Sequence, residues 1–184
     1  MSSGSNYRRR GVQVRPQSTS NIRRVAGGFR KFLDIRESNI DMGEFLEVTL
    51  HQNGVIFHID DPSHPFLLPD EDACALPDDR KIILTPRTYD GIYHGDPRAR
   101  FTLAHEVGHI LLHNSEIQGL ARGNRLGTSH KVYCDSEWQA DTFAAEFLMP
   151  ADIARGMSEE EIMNTFGVSH SSATIRRKVL CAKR

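Results

Sequence analysis

Phe101-Thr102-Leu103-Ala104-His105-Glu106-Val107-Gly108-His109-Ile110-Leu111-Leu112-His113 sets two imidazoles four residues apart, with a carboxylate next to the first. Positions i and i+4 share one face of a helix, so His105 and His109 can both reach one tetrahedral Zn²⁺ at roughly 2.0–2.1 Å. Glu106 lies about 100° round the helix, close enough to act on a water at the metal without taking a ligand position. Five residues alone match such a pattern by chance, and either histidine could be an ordinary core or surface residue. The surroundings decide. Asp96-Pro97 supplies a helix start, with Asp96 as N-cap and Pro97 at the first helical position. From there Phe101, Ala104, Val107, Gly108, Ile110, Leu111 and Leu112 predict a largely buried helix.

A catalytic zinc needs a third protein ligand and an open position. Glu137 is the candidate. It stands in Glu137-Trp138-Gln139-Ala140-Asp141-Thr142-Phe143-Ala144-Ala145-Glu146-Phe147-Leu148-Met149-Pro150, which predicts a helix starting near Asp135 or Ser136 and stopped by Pro150. Glu137 and Asp141 are four apart, so one can bind metal while the other accepts the second ring N–H of a ligand histidine. Ala140 and Ala144 lie on or near that face and allow the two helices to approach closely. The competing view of Glu137 is a surface acid favoured by the helix dipole, with the alanines serving helix propensity. The neighbouring HExxH weighs against it.

These two segments together resemble the ImmA/IrrE metallopeptidases. The likeness is direct over roughly residues 98 to 150, and the order of elements extends it more weakly from about 38 to 180. It implies a minimal thermolysin-like zincin fold of the gluzincin kind, with zinc on both histidines and the downstream glutamate. It also implies a protein substrate, a helix-turn-helix transcriptional repressor whose cleavage relieves repression. Two departures stand out. Asp141 occupies a position where many relatives have Asn, and no sensory domain is expected after the peptidase part, which leaves the activating signal unassigned.

The chemistry these residues support is metal-assisted peptide hydrolysis. Zinc held by His105, His109 and Glu137 would acidify a water to a pKa of about 7 and polarise the scissile carbonyl. Glu106 is the expected general base and proton carrier to the leaving amine. Asp141 is expected to orient a ligand histidine, His105 in the first instance. Mn²⁺ is compatible with the same ligands, although imidazole-rich tetrahedral sites favour zinc. Tyr133, His130 and Arg125, in the connection between the two helices, are candidate oxyanion donors, and loop residues by default. His113 continues the series 105, 109, 113 but rises about 12 Å from the first histidine, so it is expected at the helix end and not on the metal. A metzincin site also needs a glycine between the second and third histidines, which Ile110-Leu111-Leu112 lacks.

Composition agrees with one domain and a tail. The chain has 184 residues and a formal net charge of −1, so overall charge selects no partner. Its distribution is uneven: Arg8, Arg9, Arg10, Arg15, Arg23, Arg24, Arg30 and Lys31 precede the first acid. Residues 1–20, rich in Ser, Gly and Arg, are expected to form a disordered basic arm, with the peptidase domain over 21–150 and a helical subdomain packed on it over 151–184. No segment is apolar enough to span a bilayer and no secretion signal opens the chain, so a cytoplasmic protein without membrane contact is expected. Cys74, Cys134 and Cys181 are odd in number and widely spaced, which argues against a disulfide framework or a cysteine zinc site. Cys134, three residues before Glu137, is expected to be a structural thiol.

The remaining pattern predicts an α+β fold, a small mostly antiparallel sheet packed on the metal-bearing helices. Asn21 to Glu37 and Asp41 to Leu50 read as helices, and Val55 to Ile59 as a strand. Ala73 to Leu76 and Lys81 to Thr85 flank Pro77-Asp78-Asp79 as a hairpin. Lys81, Ile82, Ile83, Leu84 and Thr85 are the candidate edge strand for pairing with an extended substrate, the alternative being that they lie inside the sheet. Towards the C-terminus, Ser158-Glu159-Glu160-Glu161 is a capping box, Gly167 permits a turn and Ser169 can cap a final helix. This helix-turn-helix-like pair, with Arg176, Arg177 and Lys178 available for phosphates, is expected to serve packing and substrate docking ahead of nucleic-acid binding.

Two further functions share parts of this pattern. One is a non-catalytic DNA- or protein-binding regulator with a structural metal, against which an intact Glu106 argues, since a closed structural site has no use for a base. The other is a protease toxin restrained by a cognate antitoxin, which differs only in its substrate.

Overall fold

The computed structural model describes residues 11–114 and 130–182. Its sheet has three strands, β1 (Ile56–Ile59), β2 (Ala73–Leu76) and β3 (Lys81–Leu84), in the order β1-β3-β2. β2 and β3 form the expected hairpin, antiparallel with Cys74 opposite Ile83 and Ala75 opposite Ile82. β1 runs parallel to β3, with Phe57 opposite Ile82, so the sheet is mixed and not mostly antiparallel. The central place of β3 follows from its composition: Ile82, Ile83 and Leu84 are apolar in succession and at most 3 % exposed, which requires cover on both faces.

The substrate-edge assignment for Lys81–Thr85 is therefore corrected. Both sides of β3 are taken by neighbouring strands, and the strand ends at Leu84. Thr85 is instead the N-cap of α1, a helix over Pro86–Tyr93 in which its hydroxyl accepts from the Thr88 N–H and Pro86 fills the first position. Two helical segments precede the sheet: Thr19–Phe32, and Met42–Glu44 running on as a π-helical stretch, Phe45–Leu50. The sequence expectations omitted Pro86–Tyr93, although Thr85-Pro86 carries its start signal. The unpaired edge next to the motif helix belongs to β2: among the described residues no strand pairs with its other side.

The motif helix, α2, spans Pro97–Leu112 and is capped as expected by Asp96, whose side chain accepts from the Arg98 N–H. A short 3-10 turn, Val132–Cys134, leads into α3 (Ser136–Leu148), capped by Asp135. α4 (Ala151–Ala154), α5 (Glu159–Phe166) and α6 (His170–Cys181) complete the chain. Helix α2 packs against β2 and β3 and against α3, and α3 packs in turn on the Thr19–Phe32 helix. Leu103, Val107, Phe143 and Phe147 fill the space between them and are at most 1 % exposed. Phe143 and Phe147 stack at 5.8 Å, and Phe29 and Phe45 close on Phe147 at 5.8 and 5.3 Å. The architecture is α+β, with the two motif helices at its centre.

Residues 11–20 are not a disordered arm. The Val14 N–H donates to the Cys134 carbonyl at 2.8 Å, the Gln17 N–H to that of Tyr133 at 2.9 Å, and Gln13 bridges Asp135. The reason is a long-range pairing: the backbone of 132–136 needs hydrogen-bond partners, and Val14 buries an apolar side chain while supplying one. Residues 1–10, the rest of the expected arm, lie outside the described residues.

At the other end the capping box of Ser158 and Glu161 forms, and Gly167 adopts φ +63°, which favours glycine. Arg176 is not available for phosphates. It is 2 % exposed and pairs with the buried Glu146 of α3 at 2.7 and 2.8 Å, while Arg23 holds the same carboxylate at 2.9 Å. Ile162, Phe166 and Ala173 join the same core as Phe147, so this helical pair is packed onto the rest. No helix among the described residues is long and apolar enough to cross a membrane.

Candidate metal centre

Helix α2 presents His105 and His109 on one face, and α3 brings Glu137 opposite them from its first turn. The close approach has a simple cause. A Cβ built on Gly108 would lie 3.2 Å from the Cα and the carbonyl oxygen of Ala140, so glycine relieves a tight contact between the two helices. His105 Nε2 lies 3.3 Å from Glu137 Oε2, His109 Nε2 lies 3.4 Å from Glu137 Oε1, and the two Nε2 atoms are 3.0 Å apart. Donors at 2.0–2.1 Å from a tetrahedral ion stand about 3.4 Å from one another, so the three separations fit a zinc site. Among the described residues, His105, His109 and Glu137 are the one set of His, Cys, Asp and Glu side chains that converges in this way.

The outer nitrogens are also committed. Asp141 Oδ1 accepts from His105 Nδ1 at 2.8 Å. A carboxylate only accepts, so His105 carries hydrogen on Nδ1 and turns Nε2 inward. His113 is buried behind His109, with Nδ1 2.9 Å from His109 Nδ1 and Nε2 3.1 Å from Gln139 Oε1. It holds no ligand position, as expected, and burial pushes its pKa down to about 4, which keeps it neutral.

Glu106 is outside the converging set and is 7 % exposed. Burial is the main reason that its pKa is raised to about 7; the charge of Glu137 adds to this, while His109 and a hydrogen bond from the Ala75 backbone pull the other way. A carboxylate poised near neutrality is suited to accept a proton and return it. Glu137 is shifted oppositely. Burial opposes its charge, but hydrogen bonds and charge from His105 and His109 outweigh that and hold it well below the usual carboxylate range. Cys74, on β2, is raised to about 11 by burial and by the charges of Glu106, Glu71 and Glu137, so it is a thiol and not a thiolate.

The other candidates fall elsewhere. His130 Nε2 lies 2.9 Å from Asp135 Oδ2, at the N-cap of α3. Tyr133 is exposed in the 3-10 turn, under the Lys131 ammonium. Arg125 lies outside the described residues. Cys134 is half-buried and outside the converging set. Sequence reasoning missed Gln139 and Ala75. Gln139 had a signal, since an amide on the buried stripe shared with Phe143 and Phe147 needs a specific partner. The N–H of Ala75 had none, because it depends on where β2 docks.

Next to Asp141 opens a cleft of about 690 Å³, walled by Phe101 of α2, by Trp138, Thr142 and Ala145 of α3, and by Ile175 of α6. Its lining includes Asp141 but none of the three converging side chains, so it adjoins the centre.

The family model described as IrrE N-terminal-like domain, a peptidase family, matches residues 92–178, which contain every one of these site residues except Ala75 and Cys74. No curated protein matches the chain significantly. Among solved structures, a Mycobacterium tuberculosis transcriptional regulator is similar in fold, with a TM-score of 0.54 and 18% sequence identity over 84% of this chain. The chain spans about half of that protein, 54% of its length.

Proposed function

We propose that the chain, whose residues 92–178 match the IrrE N-terminal-like peptidase family, is a zinc-dependent endopeptidase acting on a partner protein. The observation that carries this reading is the buried Glu106 beside a converging His105, His109 and Glu137. A structural zinc is closed by four protein ligands and has no use for a base, whereas three ligands and an adjacent carboxylate are the hydrolase arrangement.

His105, His109 and Glu137 would hold the metal, which when bound supplies Lewis acidity towards a water and the scissile carbonyl. The chain's own residues do the rest. Glu106 takes a proton onto its carboxylate and delivers it to the leaving amine, and the Ala75 N–H keeps that carboxylate in place. Asp141 and His113 keep the two imidazoles turned so that their Nε2 atoms converge. The open edge of β2 offers backbone hydrogen bonds to an extended substrate segment, in place of β3. The cleft beside Asp141 receives side chains flanking the cleaved bond.

The resemblance favours a helix-turn-helix repressor as the substrate, and cytoplasmic action follows from that choice. Zinc content and repressor cleavage, measured on wild type, Glu106→Gln and His109→Ala, test the proposal. Bound zinc in the first two with cleavage by wild type alone is the expected result. Equal cleavage by Glu106→Gln, or full zinc retention by His109→Ala, would overturn it.

A further inference from the structure

We propose that Gln139 and His113 form a positioning relay that sets the tautomer of His109, anchored on the backbone carbonyls of Arg15 and Tyr133. The inference rests on the metal-site reading of His105, His109 and Glu137, and it makes the N-terminal segment a working part of that site.

The direction of the relay follows from which groups can only accept. Gln139 is 1 % exposed, and its Nε2 donates to the Arg15 carbonyl at 2.8 Å and the Tyr133 carbonyl at 2.9 Å. Carbonyls do not donate, so the end facing them is the amide nitrogen and Oε1 must face the other way. Oε1 lies 3.1 Å from His113 Nε2, which therefore carries a hydrogen. Buried between an amide and an imidazole, His113 is neutral, which leaves its Nδ1 with a lone pair, 2.9 Å from His109 Nδ1. The hydrogen in that contact belongs to His109 Nδ1, and His109 Nε2 is turned toward Glu137 and His105.

The two ligand histidines are thus set by different devices. Asp141 orients His105 at the half-exposed side with a charge. On the buried side a lone carboxylate would be costly, and a neutral amide held by two carbonyls does the same work. The carbonyls are themselves fixed: the Val14 N–H donates to Cys134 O, the Gln17 N–H to Tyr133 O, the Ser136 N–H to Val12 O and the Val12 N–H to Ser136 Oγ, the last two at 3.1 Å. Gly11 lies against the first turn of α3, since a Cβ there would lie 2.1 Å from Ser136 Oγ and 2.8 Å from Glu137 Cγ.

Two-bond ¹H–¹⁵N correlation spectra of the metal-free protein report which ring nitrogen bears the hydrogen. Both His105 and His109 are expected in the Nδ1–H form. In Gln139→Leu, His109 is expected to shift toward the Nε2–H form with His105 unchanged, and zinc affinity by chelator competition to fall roughly 10- to 100-fold. An Nε2–H His109 in wild type, or a Gln139→Leu protein with the wild-type tautomer and zinc affinity, would overturn the relay. The wild-type spectrum needs no variant to fold. Failure of the peptidase reading shows differently, as absent zinc binding or cleavage by wild type.

Discussion

Gly108 faces the backbone of Ala140 at a distance that would make a methyl group tight: a Cβ on Gly108 would meet the Ala140 Cα and carbonyl oxygen at 3.2 Å and Phe143 Cδ1 at 3.1 Å. This contact lets α3 carry Glu137 to the two histidines of α2. In isolation Gly→Ala would favour the helix by about 1 kcal/mol. Here the backbone of Ala140 cannot yield, and overpacking costs about 1–3 kcal/mol. Gly108→Ala should therefore destabilise the protein and weaken zinc binding as the helices separate. Denaturant melts and chelator competition on the same sample check both, and a variant more stable than wild type with unchanged zinc affinity would contradict the account.

Glu106 trades stability for chemistry. Its folded pKa is raised to about 7, above the roughly 4.3 of an unfolded glutamate. A raised folded pKa means that the contribution is fully present below the unfolded value and is lost as pH rises through about 7. The metal-free protein thus carries a penalty of about 3 kcal/mol above neutrality, which Gln does not. Glu106→Gln should raise the melting temperature of metal-free protein by about 5–10 °C near pH 8 and much less near pH 4. A variant that melts no higher than wild type at the upper pH would refute this.

Asp141 accepts from His105 Nδ1 at 2.8 Å, a duty that an amide oxygen can also perform. Asp141→Asn should keep zinc affinity within a few-fold, whereas Asp141→Leu should lose roughly 10- to 100-fold. Equal losses in the two variants would mean that charge and not orientation is what Asp141 supplies.

Glu146 holds the C-terminal helices through Arg176 and ties in Arg23. Burial works against its charge, but the hydrogen bonds from the two guanidiniums outweigh it and depress its pKa. A depressed folded pKa gives stability that is present above the unfolded value and is lost as pH falls through the folded one. Glu146→Ala leaves Arg176 buried without a counter-charge and should cost about 3–5 kcal/mol near pH 7. The gap between variant and wild type should narrow as the pH drops below about 4. Denaturation curves across that range decide it, and a constant gap would argue for lost packing alone.

Much of this centre can be read from the sequence because it is local. The spacing of His105 and His109, the Asp96-Pro97 start, the Pro150 stop, and the four-residue step from Glu137 to Asp141 are properties of single helices, and the capping box at Ser158 is another. What escaped depends on partners far along the chain. Lys81–Leu84 looks the same in sequence at an edge or in the centre of a sheet, and only the parallel pairing of Ile56–Ile59 decided that β3 lies inside. Gly11–Gln17 has the composition of a tail, yet the backbone of 132–136 binds it. Gln139 acquires its role from carbonyls at Arg15 and Tyr133 that no periodicity connects to it. The sequence by itself determined the candidate residues His105, Glu106, His109 and Glu137 and their helical faces. The tertiary structure decided which strand edge is open and which nitrogen of His109 faces Glu137, because long-range hydrogen bonds have a direction that residue spacing does not encode.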